Sequence, residues 1–167
     1  MERSRPQEPG ATVADEQELL DAWLAFHRGA LEAKCSGLTA EQLVTRSVAP
    51  SDLSLLGLVR HMTEMERVYL AQPLSGEETQ LLYCTDDSPD GDFEDVDPDR
   101  AEEDLARWRA ACARSDAALA AHPSLTAAAP GRSANARWLL LKVIGEYARH
   151  NGHADLIRQS IDGAVGE

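Results

Sequence analysis

Apolar residues recur along this chain at helical spacing, in four long stretches separated by loops. The first runs from Asp15, where Leu19, Leu20, Trp23, Leu24, Phe26, Ala30 and Leu31 keep to a helical period and Gly37 offers a stop. The second opens at Ser51 or Ser54, either of which can cap it. It carries Leu55, Leu58, Met62, Met65, Val68 and Tyr69 and is expected to end near Ala71, ahead of Pro73. Asp97-Pro98 punctuates the start of the third, which places Leu105, Trp108, Ala111, Cys112, Ser115 and Leu119 on one face and stops at His122-Pro123. The fourth spans Arg137 to Ile161, with Asn135 or Ser133 as cap and Gly163 as stop. Residues 1–14, rich in Pro, Gly and charge, are expected to form a mobile leader ahead of one domain over 15–163. No sustained strand alternation interrupts this pattern, so the expected fold class is all-α, a four-helix bundle with a long acidic loop between its second and third helices.

Three polar residues break the apolar face of the fourth stretch. At about 100° per residue, Glu146, His150 and His153 fall within a roughly 60° arc that also holds Leu139, Val143 and Ile157, so they point toward the core. A carboxylate and two imidazoles among aliphatic side chains are costly unless they are paired, hydrogen-bonded or bound to a metal. Glu146 and His150, four residues apart, can reach one divalent ion from adjacent turns. His61 shares the stripe of Leu58, Met65 and Val68 on the second helix, which makes it the third candidate ligand from a facing helix. Two imidazoles and one carboxylate leave a coordination position open for water or substrate, the pattern of a catalytic rather than a structural site. Zinc is the first choice for such donors, and nickel, cobalt, iron or manganese suit them too. His153, close beyond His150, is a candidate catalytic proton carrier or a fourth ligand. Glu64 and Asp155 are the carboxylates nearest in sequence for orienting the imidazoles, although Asp155 lies on the far side of its own helix.

Composition narrows the function. A formal charge of −13, with five His and sixteen Lys/Arg scattered along the chain, disfavours nucleic acid as a partner. Cys35, Cys84 and Cys112 have no metal-ligand or redox spacing, and no apolar run reaches membrane length or has the form of a signal peptide. A cytoplasmic protein with no membrane association is therefore expected. His27 is expected near the edge of its apolar face and His122 at a helix end. The acidic run Asp86, Asp87, Asp90, Asp92, Glu94, Asp95 and Asp97 lacks calcium-loop spacing and reads as a solvated loop draped over a pocket, with Tyr83 and Phe93 as anchors.

The segments FHRGALEAKCSGLTAEQLV, SLLGLVRHMTEMERVYL and above all EYARHNGHADLIRQSIDG resemble the DinB-like superfamily, in the actinobacterial branch that includes mycothiol-dependent enzymes. The resemblance spans about Asp15 to Gly163. It implies a four-helix bundle holding a divalent metal through His61, Glu146 and His150, with mycothiol as co-substrate in S-transfer to, or isomerisation of, a small electrophilic molecule. The chain departs from the branch at Lys142, where relatives often carry His, and at Gly145, where they carry an acidic residue. Lys142 is placed to pair with Glu146 and compete with a metal. A thiol-independent metal hydrolase, lyase or cyclase, and a non-catalytic binding protein with a weakened site, are the alternatives. A homodimer through helix faces is compatible with the bundle.

Overall fold

The computed structural model describes residues 6–10 and 15–165. All of the regular elements described there are helical, with a single isolated bridge between Ala128 and Asn135. Helix α1 (Glu16–Cys35) starts where Asp15 accepts from the Gln17 amide and ends at Ser36, with Gly37 in the left-handed region at φ 73°. Helix α2 begins as Leu55–Met65 under the Ser54 hydroxyl, which accepts from the Gly57 amide. It then widens into a π-helical stretch, Glu66–Ala71, and closes over Gln72–Leu74. Helix α3 (Ala101–Ala121) follows a 3-10 turn capped by Asp97, and α4 (Ala136–Asp162) runs from the Asn135 cap to Gly163 at φ 77°.

Side-chain contacts fix the topology. Arg137 pairs with Glu16 where α4 and α1 begin, and Arg158 donates to the Lys34 and Ser36 carbonyls where both end, so α1 and α4 are parallel. His61 meets His150 and Tyr69 meets Trp138, which makes α2 antiparallel to α4. Arg60 pairs with Asp104, and Ser115 donates to the Glu66 carbonyl, so α3 runs parallel to α2. Two consecutive parallel helices of about 20 residues need a connection that travels back along roughly 30 Å of bundle. That requirement accounts for the length of the acidic loop.

The bundle and its long loop agree with the sequence reading, and three details differ. Helix α2 continues through Pro73 to Leu74, because the proline sits in the first turn of the closing α segment, where a missing N–H costs little. Short helices form at Ala40–Leu43, closed by a Thr39/Gln42 capping box, and at Gly91–Glu94 inside the acidic loop. The third difference is the loop itself, which is solvated at Asp86, Asp87, Asp90, Glu94, Asp95 and Asp97 but buried at Asp92. It is pinned from α2. The Glu64 carboxylate accepts the Leu82 and Tyr83 amides, both at 2.6 Å. Arg60 donates to the Gly91 and Asp95 carbonyls and lies 4.2 Å over the Tyr83 ring, whose hydroxyl donates to Asp104. Tyr83 and Phe93 anchor the loop as the sequence suggested.

Of the expected leader, 1–14, residues 1–5 and 11–14 lie outside the described residues. Pro6 rests against α1, where a Cβ on Gly29 would come within 3.4 Å of its ring. No helix among the described residues is long and apolar enough to cross a membrane.

Candidate metal centre

The α2–α4 interface brings His61, Glu146 and His150 together, one ligand atom from each lying within 4.8 Å of the others. Among the described residues they form the group of His, Cys, Asp and Glu side chains able to hold an ion. Backbone geometry alone delivers Glu146 and His150 to the same face of α4, one turn apart. His61 comes from the α2 face that packs opposite, its ring centroid 4.6 Å from that of His150.

His61 is held from behind. Its Nδ1 lies 2.8 Å from Asp92 Oδ2, and its ring stacks on Phe93 at 4.7 Å between centroids. Burial pushes the Asp92 carboxyl up, but the hydrogen bond and charge of His61, with the Cys84 thiol and the Phe93 amide, more than offset it and hold the group below its ordinary value. Asp92 is therefore an anion, an acceptor, and Nδ1 of His61 must carry the proton. With the proton on Nδ1, the nitrogen left to offer a lone pair to a cation is Nε2, a buried atom with no hydrogen-bond partner among the described residues. Leaving such an atom unpaired costs roughly 1–3 kcal/mol, which a bound cation would relieve.

His150 presents the complementary nitrogen. Its Nδ1 is 3.2 Å from Nδ1 of His153, and its Nε2 is 3.5 Å from Glu146 Oε2, beyond a good hydrogen bond. Burial, with the neighbouring charges of His61 and His153, lowers its pKa from 6.5 to about 4, so the ring is neutral near pH 7, the form that ligates. Burial also pushes the Glu146 carboxyl up, but the hydrogen bond and charge of Lys142, followed by the charges of Arg149 and His150, bring it below its usual value. Lys142 Nζ sits on Oε1 of Glu146, while Oε2 faces His150 with Arg149 Nη1 at 3.6 Å. The lysine thus occupies one carboxylate oxygen and leaves the other toward the imidazoles.

A zinc ion bonded at about 2.1 Å would draw these atoms to roughly 3.4 Å apart, a modest contraction for three side chains. The donor set therefore fits a divalent ion of the zinc type, with Lys142 as the competing cation.

The remaining candidates fall elsewhere. His153 is joined to the cluster through His150 and lies outside the three-ligand group. Glu64 does not orient an imidazole, because both loop amides bind its carboxylate, and Asp155 pairs with Lys34 at 3.1 Å. Asp92 has the orienting position. Sequence reading missed it among seven acidic residues, and Phe93 beside it, an aromatic inside an acidic run, was the signal that this part of the loop turns inward. His27 lies against Trp23 and Phe26 on α1, and the ring of His122 meets the Ala127 carbonyl, both away from the cluster. Cys112 packs 3.7 Å from Glu66 and from Tyr147, and burial pushes its thiol up, as it does for Cys35 and Cys84. A cavity lined by Leu24, Arg28, Asp116, Leu125 and Arg137, where α1 and α4 begin, contains none of the cluster residues.

The family model for the mycothiol-S-transferases matches residues 19–163 of the chain, and so takes in all three cluster residues and the loop that supports them. No curated protein matches the chain.

Proposed function

The chain belongs to the mycothiol S-transferase family, and from that premise we propose that it is a divalent-metal-dependent enzyme that activates a low-molecular-weight thiol, mycothiol or a close analogue, toward a small electrophile. Membership supports a mycothiol-related transferase activity. The observation that supports the metal is the buried, unpartnered Nε2 of His61, facing a neutral imidazole and a carboxylate.

In this reading His61 Nε2, His150 Nε2 and Glu146 Oε2 hold the ion, zinc before nickel, cobalt, iron or manganese. The chemistry a bound ion supplies is Lewis acidity, which lowers the pKa of the thiol so that thiolate is available at neutral pH. The protein's part is placement and proton handling. Asp92 fixes the tautomer and the ring plane of His61, and Phe93 covers its outer face. Nδ1–H of His150 donates to Nδ1 of His153, which directs Nε2 of His150 toward Glu146. Accepting that bond engages the lone pair of neutral His153 at Nδ1, so Nε2 of this half-buried ring carries the hydrogen, and His153 serves as the proton carrier for the thiol only when the Nδ1 contact with His150 opens. The test is conjugation of a chromogenic haloarene with mycothiol, with and without chelator. Product formation is expected to need both thiol and metal; full-rate turnover of the electrophile without thiol would contradict the reading and favour a hydrolase.

The contact of Lys142 with Glu146 supports a second reading, a binding protein whose site has lost its metal. Protein that takes up no zinc, nickel or manganese on incubation would favour it.

A further inference from the structure

Beside the cluster, along the same α2–α4 interface, lie apolar side chains that the core does not bury. Trp138 is 54% exposed and Leu141 49%, whereas Trp108, in the core, is 2% exposed. Tyr69, half-buried on α2, lies against Trp138 of α4 with ring centroids 6.5 Å apart. Isolated exposed apolar side chains need no explanation, but a contiguous aromatic pair at the edge of a polar site does. Lys142 joins the two regions. Its Nζ is bound to Glu146 and stands 5.5 Å from the centroid of the Tyr69 ring. Along α4, Lys142 is one turn, roughly 6 Å, from Glu146, and Trp138 one turn further.

The charge count at Glu146 changes if a divalent ion binds there. In the unloaded cluster the carboxylate is neutralised by Lys142, with Arg149 further off. An added double positive charge satisfies Glu146 and repels the ammonium, which keeps three donors and a side chain about one third exposed to solvent. The face of Tyr69 stands beside it, 5.5 Å from the ammonium. A cation in that setting, over an aromatic shelf, matches a flat apolar molecule that carries an anionic group.

We propose that Tyr69, Trp138 and Lys142 form the subsite for the electrophile, and that it takes a small unsaturated or aromatic molecule bearing a carboxylate, with Lys142 as the anion anchor once it is released from Glu146. The inference deepens the transferase reading and rests on it for the role of the bound molecule.

The probes are 2-naphthoate and its neutral counterpart 2-naphthylmethanol, with binding measured by calorimetry. In the zinc-loaded protein the carboxylate is expected to bind about tenfold or more tightly than the alcohol, the factor a charge-assisted hydrogen bond supplies. Glu146→Gln, studied without metal, frees Lys142 by a second route and is expected to show the same preference. Metal-free wild type is expected to show little, because Glu146 still holds the lysine. Lys142→Met should abolish the preference, and Trp138→Ala should weaken both probes about threefold or more. Equal binding of the two probes in Glu146→Gln would overturn the proposal. So would a preference that survives Lys142→Met, which would place the carboxylate on the ion, or a dimer that Trp138→Ala converts to monomer, which would assign the face to a second copy of the chain. Failure of the wild type to take up zinc would sink the transferase reading, and the Glu146→Gln comparison would still decide this one.

Discussion

Two of the buried carboxylates in this bundle, Glu66 on α2 and Glu146 on α4, have similar burial and opposite chemistry. Glu66 is closed on every side. Arg28 donates to both of its oxygens at 2.7 Å, and the Tyr147 hydroxyl, protonated because its pKa is raised by burial first and by the Glu66 charge next, donates at 2.8 Å. The Trp108 indole completes the network on Tyr147. Glu146, one residue before Tyr147, has a lysine at its rim, a loosely placed arginine and two imidazoles, one of them with an orphaned nitrogen. A buried charge whose partners are complete holds a fold together. One whose partners are incomplete and titratable marks a site.

The largest expected effect breaks the closed network. Glu66→Gln leaves a mostly buried guanidinium with the exposed Asp116 as its carboxylate partner and is expected to cost about 3 kcal/mol in urea unfolding, whereas Glu146→Gln, whose cations reach solvent, should cost under about 1 kcal/mol in the metal-free protein. Equal losses would erase the distinction. Next, Asp92→Asn removes the acceptor that fixes His61 and is expected to reduce zinc affinity about 10–100-fold, with the helical circular dichroism unchanged. Competition with a chromophoric chelator reads that change directly. A smaller effect follows from His150, whose folded pKa is depressed from 6.5 to about 4. A depressed imidazole contributes stability in full above its unfolded value and loses it as the unfolded chain takes up the proton first. The urea midpoint of metal-free protein should therefore decline as pH falls from about 6.5 toward 4, and His150→Gln should flatten that decline. Last, Gly145→Ala should stabilise the protein by up to about 1 kcal/mol, because the added Cβ meets nothing within 4 Å and the helix gains a better former. A lower melting temperature in that variant would contradict the open surface seen at this position.

The same contrast explains what could be read in the sequence. Helix limits were legible where one residue decides them: Ser54, Asp97 and Asn135 cap through their own side chains, and Gly163 adopts the positive φ that ends α4. The pairing of Glu146 with His150 was legible because four residues make one turn, and His61 because it sits in an apolar stripe on a facing helix. Long-range partners were not. That Glu66 needs Arg28, 38 residues earlier, and Tyr147, 81 later, leaves no local trace, and the π-helical stretch over 66–71 has no spacing of its own. Glu64 and Asp92 exchanged roles for the same reason. Helical proximity to His61 favoured Glu64, while the loop returning over α2 set Asp92 against the ring and occupied Glu64 with backbone amides.

The incomplete set of partners around Glu146 is proposed to be a metal site. Elemental analysis of protein purified without chelator or affinity metal, for the parent chain and for His150→Ala, tests it most directly. About one divalent ion per chain is expected in the parent, as for one three-ligand site, and its loss in the variant. A parent that stays metal-free after incubation with zinc, nickel and manganese would contradict it, and would leave Lys142 as the permanent partner of Glu146.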